Sequence, residues 1–307
     1  MQRFQPEGKL INTIENKSFL RTPQAMKTAL LQNKTLEAKA LLCDNNHNLI
    51  VELPFGRGII PRNEGAIGIE SGETKDIALL SRVNKPVCFK VIKVLNDEDS
   101  STPLIILSRR LAQEECIEYY LGELKSGDII PARVTHLEQF GCFVDIGCGI
   151  ASLIPIDAIS VSRIAHPADR FRNGDDIFVV IKTVENGRIC LTHKELLGTW
   201  EENASLFMQG ETVGGIIRSV EDYGVFVELT PNLAGLAEPY ANAAVGQSAS
   251  VYIKSIIPEK MKIKLIIVDV FERKATPEKL SYYINNGSIS EWIYSTPQAS
   301  KNIISIF

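Results

Sequence analysis

Several features that define whole classes of protein are missing from this 307-residue sequence. No apolar run approaches the roughly 20 residues that a membrane-spanning helix needs, and the first residues lack the apolar core of a signal peptide. The six cysteines form no Cys-x-x-Cys pair and the four histidines stand apart, so no zinc site of familiar spacing is present. We therefore expect a cytoplasmic protein with reduced cysteines, no membrane contact, no metal and no cofactor.

Positive charge and catalytic motifs are scarce as well. Lys and Arg number 33 against 37 Asp and Glu, which gives a net charge of −4 and argues against a strongly basic nucleic-acid binder. The sequence has no Gly-rich phosphate loop, no Gly-x-Ser-x-Gly and no His-Glu-x-x-His. His136, Cys142 and Cys148 could approach one another in a small fold, but their spacing matches no known metal site. We expect the protein not to be an enzyme.

A repeat is the strongest positive feature. Residues 128–146 recur as residues 211–229, so that Phe140 corresponds to Tyr223, and each copy contains aromatic-Gly-x-Phe-Val-acidic-aliphatic. Strand alternation places Phe143 and Phe226 on the face opposite the apolar positions, together with the acidic residue two places later. We expect that outer face, including both carboxylates, to be wet.

Phe140 and Tyr223 have the opposite parity, but each precedes a glycine. A turn or bulge at that glycine could turn the aromatic side chain towards Phe143 or Phe226. Two exposed aromatics on one strand form a platform on which unpaired bases can stack. The alternative is that these rings cover a small barrel or pack against a neighbouring domain.

The residues around the first copy resemble a known family. Gly127-Asp128, Phe140 to Ile146, Ser152 to Ile156, Gly174 to Lys182 and Gly187 to Thr192 together resemble the S1 RNA-binding domain, which is named for a bacterial small-subunit ribosomal protein. The resemblance is close over residues 125–195, good over 210–270 and weaker over about 34–110. It implies a mostly β protein of tandem five-stranded OB-type barrels, joined by helical linkers, with α-helical N- and C-terminal additions.

The resemblance also implies the function and its residues. It predicts binding of single-stranded RNA such as mRNA, in translation, with the small ribosomal subunit as a candidate partner. Phe140 and Phe143 match the family's strand-two aromatics, and Arg188 matches the basic residue that opens its last strand. The corresponding or added candidates in the later copy are Tyr223, Phe226, Lys262, Arg218, Lys254 and Lys264. Pro155 and Glu238 stand where the family often has a histidine, so one expected contact is missing from each copy.

The same patterns predict the division of the chain. The expected segments are N-terminal helices (1–33), a degenerate S1-like barrel (34–110), a linker helix (111–124), an S1 domain (125–195), a second linker helix (196–209), another S1 domain (210–270) and a C-terminal helical extension (271–307). The better N-terminal helix begins after Thr22, a suitable N-cap, and a weaker candidate covers residues 8–14. A C-terminal helix is expected over residues 276–285.

Three readings remain open from the sequence. In the first barrel the turn-rich residues 44–48 replace the aromatic-Gly motif, so we expect this barrel to contact a protein partner or the ribosome rather than bases. Trp200 is expected to anchor one barrel to the next rather than to stack on a base. An RNA-processing enzyme or its accessory subunit, and a protein-binding scaffold, are the competing functions, but a pure scaffold has no need of outward aromatics in the same register twice.

Overall fold

The computed structural model describes residues 4–95, 103–185, 187–274 and 280–307. Its secondary structure is mostly β, and the described residues form closed five-stranded barrels in three places along the chain. The chain divides into two compact units, Met1–Leu124 with Asp145–Ala151, and Lys125–Val144 with Ser152–Phe307.

The first unit begins with two short helices. They are α1 (Ile14–Leu20) and α2 (Pro23–Leu31), and the Thr22 hydroxyl accepts a hydrogen bond from the Ala25 N–H, as expected for its N-cap. The helix expected over residues 8–14 is wrong. The N–H groups of Gly8, Leu10 and Ile11 donate to the carboxylate of Glu37 instead of to helical carbonyls.

The first barrel follows these helices in the order expected from the sequence. Its elements are β1 (Leu36–Cys43), β2 (Leu49–Leu53), β3 (Gly56–Ile60), α3 (Ile77–Leu80), β4 (Pro86–Leu95) and β5 (Leu104–Ser108). The strands close in the order β1-β2-β3-β5-β4, the topology of an OB-type barrel. Its core holds alternate apolar side chains such as Leu49, Val51 and Leu107, which are fully buried.

The segment of the expected linker helix (111–124) contains α4 (Arg109–Tyr119), which begins two residues earlier, is capped by the Ser108 hydroxyl and is followed by a 3-10 turn at Leu121–Glu123. The turn at Asp145–Ala151 completes the same unit. Asp145, expected on a wet face, is instead buried, and its carboxylate accepts hydrogen bonds from the N–H groups of Glu7, Gly147 and Gly149. The prediction that Asp145 is wet is wrong, because strand parity could not show that the backbone at Glu7, Gly147 and Gly149 covers this carboxylate.

The second unit contains the two barrels that carry the repeat. The second barrel consists of β6 (Ile129–Glu138), β7 (Gly141–Asp145), β8 (Ala151–Pro155), β9 (Asp176–Glu185) and β10 (Arg188–Thr192). The third consists of β11 (Thr212–Glu221), β12 (Gly224–Thr230), β13 (Leu233–Ala237), β14 (Gln247–Ile257) and β15 (Lys262–Lys274). Both close with the strand order of the first barrel.

The segment between these barrels contains only a short helix, α5 (Trp200–Ala204), rather than a helix over 196–209. Gly198 has a left-handed φ of +83° and separates α5 from a 3-10 turn at Lys194–Leu197. Trp200 is 3% exposed and packs in the core cluster of the third barrel, as expected for an anchor.

The C-terminal part differs from the expected helical extension. Residues 271–274 continue β15, and residues 276–279 of the expected helix lie outside the described residues. Residues 280–285 are not helical, and a small antiparallel sheet of β16 (Glu291–Ile293) and β17 (Ile304–Ile306) follows. Its backbone is held by distant partners instead of by helical hydrogen bonds: the Tyr283 N–H donates to the Leu196 carbonyl, and Gly287 and Ile289 bond to Ile129 and Gly127.

Candidate nucleic-acid interface

The second barrel carries an aromatic pair at the start of β7. The ring centroids of Phe140 and Phe143 lie 6.0 Å apart with the planes at 90°, an edge-to-face contact. Phe140 is 57% exposed and Phe143 is half-buried, so one ring stands free beside a more firmly packed one. A Cβ on Gly141 would lie 2.4 Å from the Ile154 carbonyl oxygen, and this close backbone approach explains the glycine between the rings.

The third barrel repeats this aromatic pair. The rings of Tyr223 and Phe226 are 6.2 Å apart at 88°, and Tyr223 is 67% exposed. A Cβ on Gly224 would lie 2.4 Å from the Ala237 carbonyl oxygen. The expectation that a glycine lets the preceding aromatic turn towards the phenylalanine is therefore confirmed in both barrels.

Strand register shows which residues share the outer surface with each pair. In the third barrel Phe226 on β12 pairs with Leu236 on β13, which pairs with Lys264 on β15. Lys264 is exposed, so an aromatic ring, an aliphatic side chain and an ammonium group lie side by side across three strands. Lys262 is two residues earlier on the same strand face and is also exposed.

The second barrel has the same pairing between its third and fifth strands, β8 and β10, with different side chains. Leu153 on β8 pairs with Cys190 on β10, so Cys190 takes the place that Lys264 has in the third barrel. Arg188 then corresponds to Lys262, opens its strand as expected, and is exposed. The outer surface of each barrel therefore carries aromatic, aliphatic and cationic side chains, which are the kinds that contact the faces and phosphates of an unpaired strand.

Parts of the chain match a known protein family and known relatives. The model of the family described as "S1 RNA binding domain" matches residues 123–194. These residues contain all five strands of the second barrel. Two relatives are the small ribosomal subunit protein bS1 of Leuconostoc lactis, 28% identical over 277 residues, and that of Staphylococcus saprophyticus, 29% identical over 225 residues.

The chain spans only about three fifths of the length of these relatives. The matches cover 84% of this chain and 61% of the Leuconostoc protein, and 66% of this chain and 57% of the Staphylococcus protein. A solved structure described as a multidomain protein with nucleic acid binding domains from Streptococcus pneumoniae covers 77% of this chain and 73% of that chain, at 15% identity and a TM-score of 0.25.

Arg218, a predicted RNA-binding residue of the third barrel, lies elsewhere. Its side chain is 7% exposed, and its Nε and Nη2 each lie 2.9 Å from an oxygen of Glu228. Its Nη1 is 3.4 Å from Asp169. The structure therefore assigns Arg218 to a buried ion pair, in which the carboxylates of Glu228 and Asp169 neutralise its charge.

Glu228 is likewise buried, although the alternation placed it on the wet face. Burial alone would raise the pKa of Glu228, but hydrogen bonds and charge from Arg218 and Arg170 hold that pKa below its usual value. Lys254, in contrast, is exposed as expected, and its ammonium lies 3.7 Å from the carboxylate of Glu238. That weak surface pair reduces the positive charge available from Lys254.

The first barrel has the same register without the aromatic rings. Ile50 pairs with Ile59, which pairs with Ile106, and a register shift in β1 precedes Ile50 as one in β11 precedes Phe226. His47 stands three residues before Ile50, as Tyr223 does before Phe226, and its ring nitrogen lies 3.8 Å from Asp76. An aliphatic outer row offers no π face for a base.

The candidate metal ligands, His136, Cys142 and Cys148, are not brought together into a metal site in the described residues. Within the described ranges, no group of three or more His, Cys, Asp or Glu side chains is arranged to hold a metal ion. Cys142 and Cys148 are buried, whereas His136 is exposed and lies 2.6 Å from Glu138. In the part of the chain that the structure describes, no helix has the length and apolar character needed to span a membrane.

Proposed function

We propose that this protein is a non-catalytic, cytoplasmic single-stranded RNA-binding protein that acts on mRNA in translation. The observation that carries the proposal is the exposed edge-to-face aromatic pair, present in the same register in the second and third barrels. Stacking on aromatic side chains contributes about 1–3 kcal/mol per base and tolerates any base, because every base has a π face. The S1 domain match and the bS1 relatives support the same function.

Stacking rather than charge should dominate the affinity. Residues 125–195 contain eight Lys and Arg against nine Asp and Glu, and residues 210–270 contain five against seven. Few phosphates can then be neutralised, so the affinity should fall only weakly with salt. Duplex RNA should bind poorly because its bases are already stacked on one another.

The test is fluorescence anisotropy with a labelled single-stranded oligonucleotide across a salt series. Phe143→Ala and Phe226→Ala should each weaken binding by about 1–3 kcal/mol per lost stacked base while leaving the salt slope nearly unchanged. Arg188→Ala should weaken binding and flatten the slope slightly. Phe271→Ala is a matched control, since Phe271 is 48% exposed on β15 but lies outside the outer row.

The double variant, Phe143→Ala with Phe226→Ala, decides whether the aromatic rings bind RNA. If it stays folded and binds like the unmodified protein, the rings are packing residues and the RNA-binding proposal loses its main support. Absence of hydrolase activity is tested separately with end-labelled RNA and divalent metal, where the strand should remain intact. Cleavage that disappears on substitution of one particular carboxylate would instead favour an RNA-processing enzyme.

The first barrel should contact a protein rather than bases. Its outer row is Ile50, Ile59 and Ile106, which has no ring on which a base can stack. Ultraviolet crosslinking of the whole chain to RNA, followed by peptide mapping, should find crosslinks near Phe140 and Tyr223 and none in residues 36–108. Crosslinks of equal yield in the first barrel would show that it also binds bases.

Association with the small ribosomal subunit is part of the proposal because the relatives carry that name. Sedimentation of purified subunits with the protein should move it into the subunit fraction. If a variant without the phenylalanine rings still moves into the subunit fraction, whereas a variant without Ile50 and Ile59 of the first barrel does not, the ribosome is contacted through the first barrel.

A further inference from the structure

A buried ion cluster connects the second barrel to the third. Arg170 lies in the connection between β8 and β9, residues 156–175, and its Nη1 is 2.7 Å from Oε1 of Glu228 on β12. Arg170 and Glu228 are 3% and 4% exposed, and the Ser162 hydroxyl donates to the same carboxylate at 2.8 Å. Arg218 on β11 reaches back to Asp169 of that connection. Salt and water therefore have little access to these contacts.

A buried amide makes a second connection between the two barrels. Asn232, in the turn before β13, is fully buried, and its Oδ1 accepts a hydrogen bond from the Val161 N–H at 2.9 Å. Its Nδ2 donates to the carbonyls of Lys194 and Gly198, each at 2.8 Å. Both amide protons and the oxygen are thus satisfied in one geometry, and any rotation of one barrel against the other would leave buried polar groups unpaired.

The C-terminal segment, residues 280–307, contacts both barrels. Its Gly287 carbonyl accepts from the Ile129 N–H of the second barrel at 3.0 Å, and the Ile289 N–H donates to the Gly127 carbonyl at 2.9 Å. Further along, the Thr296 hydroxyl donates to the Pro258 carbonyl of the third barrel at 2.8 Å. The segment therefore acts as a strap across the two barrels.

We propose that the second and third barrels bind one RNA strand at a fixed spacing, as a single rigid body with two aromatic pairs. This inference rests on the proposed function and adds the geometry of the ligand, a continuous single strand that spans both barrels. The outer rings, Phe140 and Tyr223, remain 57% and 67% exposed while the barrels are joined, so docking leaves both pairs open. Arg170 and Asn232 are positioning residues, which touch no RNA but hold the spacing.

The test uses RNA probes in which two oligouridine segments of about six nucleotides, near the small end of an OB-fold site, are joined by a base-free spacer of varied length. A rigid body should show a sharp optimum, with affinity at least tenfold higher at one spacer length than at lengths clearly shorter or longer. A flexible tether would instead give a broad, shallow dependence on spacer length. Phe143→Ala should remove the optimum because one stacking site is gone.

A loosened variant, combining Arg170→Met and Asn232→Ala, should broaden the optimum while binding a single six-nucleotide segment within twofold of the unmodified protein. Arg172→Met is the matched control, since Arg172 is exposed two residues away in the same connection. Tight binding with no dependence on spacer length in the unmodified protein would overturn the fixed spacing and leave RNA binding intact. Failure to bind any probe would overturn the proposed function together with this inference.

A measurement without RNA tests the rigidity of the two barrels independently of RNA binding. Spin labels on introduced cysteines, Gln139→Cys in the second barrel and Asp222→Cys in the third, report the distance between the barrels. Cys43→Ser and Cys190→Ser remove the cysteines that are not buried. The distance distribution should be narrow, and should widen in the loosened variant. A wide distribution in the unmodified chain would refute the rigid body directly.

Discussion

Replacing Glu228 by glutamine should destabilise the third barrel strongly, although the side chain keeps its size. The carboxylate is 4% exposed and contacts two guanidinium groups, with both oxygens engaged by Arg218 at 2.9 Å and a further contact to Arg170 at 2.7 Å. Removing its charge leaves two buried cations facing a neutral amide. Asp169, whose carboxylate is 3.4 Å from Arg218 and also acts electrostatically on Arg170, compensates that charge only in part. We expect a loss of about 3–5 kcal/mol in the free energy of unfolding.

The same substitution at an exposed position is the control. Glu238 is 81% exposed, and its oxygen is 3.7 Å from the Lys254 ammonium, so Glu238→Gln should cost roughly 0–1 kcal/mol. Urea unfolding followed by tryptophan fluorescence suits this comparison, because Trp200 and Trp292, the two tryptophans of the chain, are both buried in the third barrel's core cluster.

With an unfolding slope of about 2–3 kcal/mol per molar urea, Glu228→Gln should lower the midpoint by roughly 1–2 M. Added salt should reduce the effect of Glu238→Gln but leave that of Glu228→Gln nearly unchanged, since burial limits screening. Equal midpoints for the two variants would refute the view that the ion cluster is buried and tightly paired in solution.

Three further outcomes follow from the second unit. Because folding lowers the pKa of Glu228 below 4.5, its contribution to the free energy of unfolding should be complete above about pH 4.5 and should be lost as pH falls through the folded pKa. In Glu228→Gln the urea midpoint should therefore fall less steeply at acid pH than in the unmodified protein. Burial lowers the pKa of His193 to about 4, so acidification from pH 6.5 to 4 should lower the free energy of unfolding by about 3 kcal/mol. NMR should show that the ring is still neutral at pH 5. Gly224→Ala should destabilise the fold in thermal unfolding because its Cβ would meet the Ala237 carbonyl, whereas Gly214→Ala, which meets no atom within 4 Å, should not.

The barrels were predictable because their strands obey simple local rules. Period-two alternation identified the core positions of β7 and β12, and the glycine after Phe140 and Tyr223 identified where the aromatic side chain turns outward. These signals are local because pleat and turn geometry depend on neighbouring residues.

What could not be predicted depends on residues far apart in the sequence. Parity placed Glu228 on the outer side, but one of the residues that bury it, Arg170, comes from another barrel. The C-terminal segment had helical spacing, yet its backbone hydrogen-bonds with Gly127 and Ile129, about 160 residues earlier. Local propensity cannot anticipate such partners, because tertiary contacts override it.

The aliphatic outer row of the first barrel shows that the fold is specified by a different set of positions from those of the proposed ligand surface. Ile50 shares the register of Phe226, and His47 that of Tyr223, while the inward residues on either side keep a closed core. A surface for nucleic acid can thus be gained or lost by exchanging a few outward side chains, without repacking the interior. Engineering follows the same logic: His47→Tyr with Ile50→Phe would transplant a binding face onto a barrel that already folds.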